Sequence, residues 1–249
     1  VELQDSYLSV KESLIHAGIS NNVEIQIEWI NSEEININNI NDIFKDIKGI
    51  IVPGGFDKRG TQGMIDACRY ARENKIPYFG LCLGLQIMVI EAARNLLGYE
   101  DSNSTEFDET TPFPVIDLMP EQLKSLHKGA SMRLGLYECK IIDSTYTKKI
   151  YKSNNIKERH RHRYEVNNKY VGELKNVGLI SSGVHPEGNL VEIMEYNDHP
   201  FMIGVQFHPE FLSTPLSPHP LFVEFVKSAL NNKDIRSNKI NNEKESKIT

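Results

Sequence analysis

The sequence predicts an α/β fold: an open, mostly parallel central sheet flanked by helices, with an added antiparallel β region. Three observations carry this. In the first half, short apolar runs alternate with helix-periodic ones, the pattern of a parallel sheet with helical crossovers. Residues 76–81, wholly apolar or small, pass without a spacer into the helical stretch 85–97. Beyond Gly98 the periodicity shortens to strands joined by turns, which suits antiparallel pairing.

Taken in order, residues 5–16 read as a helix, with Leu8, Leu14 and Ile15 among its apolar positions and Gly18 as its terminator. Residues 23–30 alternate with period two and read as a strand. Residues 35–47 are isoleucine-spaced but rich in Asn, which predicts a helix over the second half only. A short apolar strand at 49–52 runs into Pro53-Gly54-Gly55, and 62–73 is a helix beyond that loop. Residues 101–130 are polar, acidic and proline-containing, a surface excursion about as long as functional loops become. Two β-rich stretches follow, 131–142 and 156–166, then strands at 190–196 and 201–207 joined by the turn Asn197-Asp198-His199-Pro200. Residues 221–230 form a closing helix. From Asn231 the chain is polar and charged, so the expected organisation is one domain over 1–230 and a disordered polar tail over 231–249. There is no internal repeat.

Composition excludes several function classes. The 249 residues are 39% hydrophobic and include 10 Phe, 10 Tyr and 1 Trp, enough for a sizeable core and too much for a disordered chain. A net charge of −6 offers no footprint for nucleic acid or an anionic membrane. No apolar run reaches the roughly 18 residues that span a bilayer, and no secretion signal opens the chain. Cys68, Cys82 and Cys139 are too few and too odd in number for a disulfide framework, which predicts a reducing, cytoplasmic setting. If one of them matters, it is as a thiol.

Gly80-Leu81-Cys82-Leu83-Gly84 is the most informative segment. A sharp strand-to-helix turn needs small residues two positions either side of its apex, as in a nucleophile elbow, here with Cys in place of Ser. A cysteine at a helix N-terminus feels the positive end of the helix dipole, which favours thiolate. The alternative is a buried structural cysteine, which is how Cys68 and Cys139 read. A thiolate nucleophile needs a base, and His208-Pro209-Glu210 ends an apolar strand. Proline pushes the preceding residue into an extended conformation, so His208 and Glu210 can project to one side, the carboxylate orienting the imidazole. Alone this triplet is more often a turn than a site; paired with the elbow it points to a site. Pro53-Gly54-Gly55 lies at the C-terminal end of a parallel strand, where open α/β sheets collect ligands, and its glycines would let backbone N–H groups approach an oxyanion. An ordinary strand-terminating turn would look the same. No metal site is expected, since the histidines show no ligand-spaced cluster with Cys or carboxylates.

The strings PGGF (53–56), GLCLGLQ (80–86), NSTEF (103–107), MRLG (132–135), ERHRHRYEVN (158–167) and QFHPEF (206–211) closely resemble the glutamine amidotransferase domain of the CTP synthase family, within the class I (triad) amidotransferases. The resemblance runs from about residue 1 to 227. It implies hydrolysis of L-glutamine, with Cys82 as nucleophile, His208 as its base and Glu210 orienting that base. It also implies Gly55 and Leu83 as oxyanion donors, and Gln86, Glu106 and Arg163 as glutamine-binding residues. Glu106 suits an α-ammonium and Arg163 an α-carboxylate. Without the resemblance, the Arg159–Arg163 cluster reads as a solvated face or an anion patch. No cofactor is implied for this domain. ATP, UTP and magnesium belong to a separate synthase domain, expected in cis and as the route to a homo-oligomer.

Three departures from the family accompany the likeness. Asp57 stands where the family usually has glycine, at a cost of about 1 kcal/mol if the position needs φ > 0. The chain opens where the family has just completed a first strand, so one strand is expected to be missing. The synthase half is missing too, which predicts a fragment of a longer enzyme. Two rival functions stay open: a degenerate, non-catalytic regulatory module, and a stand-alone γ-glutamyl hydrolase, against which NSTEF and RHRHRYEVN argue.

Overall fold

Three short apolar segments lie side by side at the centre. Strands β1 (Ile50–Val52), β2 (Tyr78–Leu81) and β10 (Met202–Val205) pair in parallel, with Gly80 of β2 opposite both Val52 and Gly204. Such strands need cover on both faces. Helices α3 (Thr61–Glu73) and α4 (Leu83–Asn95) cover one face, and α1 (Leu8–Ser20) and the closing helix cover the other. Consecutive residues of β2 accordingly point into different cores, Tyr78 into the first and Phe79 into the second.

The computed structural model describes residues 4–56, 58–118 and 132–245, with side chains as far as Asn232. Beyond β10 the sheet continues antiparallel through β9 (Val191–Tyr196), β8 (Leu179–Val184), β5 (Arg133–Ile141) and β6 (Asn155–His162), seven strands in the order β1-β2-β10-β9-β8-β5-β6. A second sheet of β3 (Ser102–Ser104), β4 (Phe113–Asp117) and β7 (Glu165–Val166) packs beside α4. The α/β architecture with an antiparallel extension is therefore as expected: within the seven-stranded sheet parallel pairing is confined to β1-β2-β10, and in the second sheet β3 and β4 also pair in parallel.

Several local expectations are corrected. Helix α1 continues through Gly18 to Ser20, and Asn22, with φ of +55°, reverses the chain. Gly18 is required for packing instead, because a Cβ there would sit 2.8 Å from the Val23 carbonyl oxygen and from Ile25 Cγ1. Residues 23–30 keep their alternating burial but form no ladder, since no described strand pairs with them. Together with β1 they border a groove of about 840 Å³ that reaches Gly54 and Gly55. The excursion after Gly98 carries β3 and β4, while 119–131 lie outside the described residues. The stretch 156–166 divides between the two sheets. Strand β8 has no sequence signal, because Ser181, Ser182 and Gly183 are poor strand formers that become strand through pairing with β5 and β9. The closing helix, expected over 221–230, runs Pro220–Glu245. No Gly or Pro interrupts it and Lys and Glu favour helix. No helix among the described residues is long and apolar enough to cross a membrane.

Candidate active site

The turn from β2 into α4 places Cys82 at the C-terminal edge of the parallel strands. Its backbone adopts φ +50°, ψ −96°, an unfavourable conformation for a residue with a side chain. Neighbouring contacts impose it. A Cβ on Gly80 would lie 2.5 Å from the Gly84 carbonyl group, and one on Gly84 would lie 2.2 Å from the Val52 carbonyl oxygen, so both brackets must be glycine. The Cys82 N–H donates to the Val205 carbonyl at 2.7 Å, and its carbonyl accepts from Leu85 and Gln86. The Tyr78 hydroxyl, fully buried, donates to the Gly84 carbonyl at 2.9 Å and ties the first turn of α4 to β2.

His208 approaches from the end of β10. Its N–H donates to the Arg159 carbonyl at 2.8 Å, and Phe211 stacks on its ring. The imidazole Nδ1 meets Glu210 Oε1 at 2.8 Å, both side chains nearly buried. Pro209 starts a 3-10 turn (Pro209–Phe211), so the i, i+2 pair meets through a turn in place of a continued strand. Burial opposes the imidazolium, but the Cys82 sulfur and the Glu210 carboxylate outweigh it and push His208 up to about 10. Nε2 makes no aligned hydrogen bond, a common state of catalytic pairs without substrate.

Gly54 is the point where these groups converge. A Cβ there would lie 2.7 Å from His208 Cε1 and 3.5 Å from Cys82 Cβ. One residue on, Gly55 lies against Leu83, its notional Cβ 3.1 Å from Leu83 Cδ2. The Leu83 amide opens α4, where N–H groups lack an intrahelical acceptor. The fold therefore brings Cys82, His208, Glu210, Gly55 and Leu83 to one place. Asp57 lies outside the described residues.

A second group lies alongside. Gln86, buried on α4, donates through Nε2 to the Tyr164 carbonyl at 3.0 Å and so abuts the exposed Arg163. Glu106, half-buried after β3, is pushed above the usual carboxylate range by burial and pulled back by Arg163. A carboxylate and a guanidinium thus lie near enough to feel each other's charge. Burial raises the Cys68 and Cys139 thiols, which suits packing residues and disfavours nucleophiles.

The sequence reading missed other features. Strand β6 alternates, so Arg159 and Arg161 face out while Glu158, His160 and His162 are buried, and Arg163, just past its end, is exposed as well. His160 Nδ1 meets His162 Nε2 at 2.9 Å, and Arg133 bonds Glu192 at 2.8 Å, a polar layer across β5, β6 and β9 whose histidines a period-two reading of 158–163 could have found. Gln206, two residues before His208, directs its amide at Cys82. No group of three or more His, Cys, Asp or Glu side chains arranged to hold a metal ion occurs among the described residues.

The family pattern for glutamine amidotransferase class-I matches residues 2–228. This chain belongs to that family. The CTP synthase of Caldanaerobacter subterraneus subsp. tengcongensis is 54% identical over 231 residues, which is 93% of this chain and 43% of that protein. That of Clostridium perfringens strain SM101 is 54% identical over 233 residues, covering 94% and 44%. The chain thus spans less than half the length of these relatives. Among solved structures, the glutaminase domain of Trypanosoma brucei CTPS, with acivicin bound, superposes with a TM-score of 0.87 at 40% identity, covering 92% of this chain and 89% of that one. A glutamine amidotransferase from Thermotoga maritima, 9% identical, shares the fold with a TM-score of 0.51 over 89% of this chain and 91% of that one. The amidotransferase fold therefore carries this elbow and its surroundings.

Proposed function

We propose that the chain hydrolyses L-glutamine to glutamate and ammonia through a thioester on Cys82, and that the ammonia serves a CTP synthase domain of the same longer, cytoplasmic polypeptide. The observation that carries the reading is the meeting of Cys82 and His208 on Gly54, with Glu210 on the far ring nitrogen. Likeness to a glutaminase domain and to CTP synthases supports it.

The Cys82 thiolate attacks the side-chain amide carbon, and the N–H groups of Gly55 and Leu83 receive the developing oxyanion, each donor worth about 3 kcal/mol. His208, charged and held by Glu210, gives its proton to the departing nitrogen, which leaves as ammonia while the thioester remains. Neutral His208 then takes a proton from water, the hydroxide attacks the thioester, and the C–S electrons return to sulfur as glutamate forms. Glu106 binds the α-ammonium and Arg163 the α-carboxylate, with Gln86 holding the segment around Tyr164. This half-reaction uses no cofactor. ATP, UTP and magnesium act in the synthase domain, through which the enzyme forms its homo-oligomer.

The test is a glutaminase assay on the chain alone and joined to a synthase domain with its nucleotides. Cys82→Ala should abolish glutamine hydrolysis and leave ammonia-dependent CTP formation by the joined protein intact. Equal loss of both activities, or hydrolysis by the variant, refutes the reading.

A further inference from the structure

We infer that Gln206 is a positioning residue for the nucleophile, its side-chain amide donating to the Cys82 sulfur. The inference rests on the reading of Cys82 as a thiolate nucleophile. Gln206 lies between Val205 and Phe207, and all three are fully buried. A fully buried glutamine is costly unless both ends of its amide are satisfied. Here one end is not: Oε1 has no hydrogen-bond partner, whereas Nε2 points at Cys82 Sγ at 3.7 Å. A leucine or methionine would fill the space without an orphaned oxygen, so packing alone does not account for the residue.

Backbone bonds hold the pair in register. The Cys82 N–H donates to Val205, the residue before Gln206, at 2.7 Å, and the Gln206 N–H donates to the Glu192 carbonyl at 2.8 Å. The side chain thus leaves a pinned backbone on the strand that also delivers His208. Two groups from one strand end then serve one sulfur, and their chemistry differs. His208 gives up its proton during the reaction, while a glutamine amide does not titrate, so its N–H stays available throughout the cycle. It favours the thiolate before attack and receives sulfur again when the thioester breaks. The amide orientation decides the sign, because a carbonyl oxygen turned to the sulfur would repel the thiolate.

The experiment measures alkylation of Cys82 by iodoacetamide against pH, mapped by mass spectrometry, in the wild type, Gln206→Met and Gln206→Glu. Both substitutions keep the length of the side chain, so the test does not depend on either one alone folding. Loss of the donor should slow alkylation at pH 7 about tenfold and move the profile to higher pH, with the acidic variant moved at least as far. The kcat for glutamine should fall about tenfold while KM stays within about threefold, the pattern of a group that serves the reacting atom and not substrate binding. An alkylation profile unchanged in Gln206→Met, with glutaminase intact in the wild type, overturns the inference alone. A wild type that does not hydrolyse glutamine, with the profile still shifted in the variants, defeats the proposed function and supports the Gln206 contact.

Discussion

Glycine at position 54 has a different task from the brackets of the elbow. It makes room for the imidazole, whose Cε1 would meet a Cβ at 2.7 Å. Gly54→Ala should push His208 off Cys82 and lower kcat/KM for glutamine about a hundredfold, because misplacing a reacting group by about 1 Å costs that much. The melting temperature should change little, since a nearby side chain can give way. Activity within threefold of wild type would place the imidazole elsewhere. Arg163 calls for the opposite kinetic pattern. It is exposed and coupled to Glu106, and a contact to an unreacting carboxylate is the same in ground and transition states. Arg163→Ala should therefore raise KM more than it lowers kcat. If KM does not move, Arg163 returns to a solvated surface just past β6.

At the scale of elements, the junction of β1, β2 and α4 decides whether Cys82 is presented at all. The Gly84 Cα faces the Val52 carbonyl oxygen, and backbone cannot retreat from a 2.2 Å contact as a flexible side chain can. Gly84→Ala should cost about 3 kcal/mol, at the upper end for overpacking, read as a lower urea midpoint. Gly172 is the matched control. It lies in the short helix Val171–Asn176 with nothing within 4 Å of its notional Cβ and no positive φ. There, Gly172→Ala should stabilise by about 0.5–1 kcal/mol through the entropy of the unfolded chain. Equal effects at the two positions would show that helix propensity, not the strand–helix approach, governs Gly84.

Over the whole molecule, histidines of opposite character shape the dependence of stability on pH. Burial holds His160 and His162 well below the ordinary value near 6.5, with Arg133 adding to it, and lowers His199 to about 4. His199 is neutral by construction: Nε2 faces the Ala71 carbonyl at 3.2 Å and Nδ1 accepts from the Phe201 N–H at 3.3 Å. Its contribution is present above about 6.5 and is lost as pH falls toward 4. His208, raised to about 10, contributes below 6.5 and loses that contribution as pH rises through 10. Glu192, pushed up from 4.5 to about 7 by burial against the pull of Arg133, likewise contributes below about 4.5 and loses that contribution as pH rises through 7. His199→Gln isolates one of these groups. Its stability deficit relative to wild type should shrink by about 2 kcal/mol between pH 7 and pH 5 in urea unfolding. Parallel curves would mean that His199 takes up its proton in the folded state.

The sequence by itself determined the alternation of strands and helices, the elbow at Cys82, the His208–Glu210 pair and the glycines at 54 and 55. These are local signals: a period of 2 or 3.6, a proline, or a glycine where a turn requires one. Glu106, Gln86 and Arg163 enter as candidates through family likeness and not through pattern, because they come from three separate segments. Only the tertiary structure decided matters that depend on a partner. Residues 23–30 have the period of a strand and no ladder among the described residues, since pairing belongs to two segments and not to one. Gly18 ends nothing because its neighbour is Ile25, and Ser181–Gly183 become strand because β5 and β9 flank them. Gln206 reads as one polar residue in an apolar strand until the fold sets it against Cys82, 124 positions away. Periodicity records which face a residue turns inward, and the packed chain alone determines what it meets there.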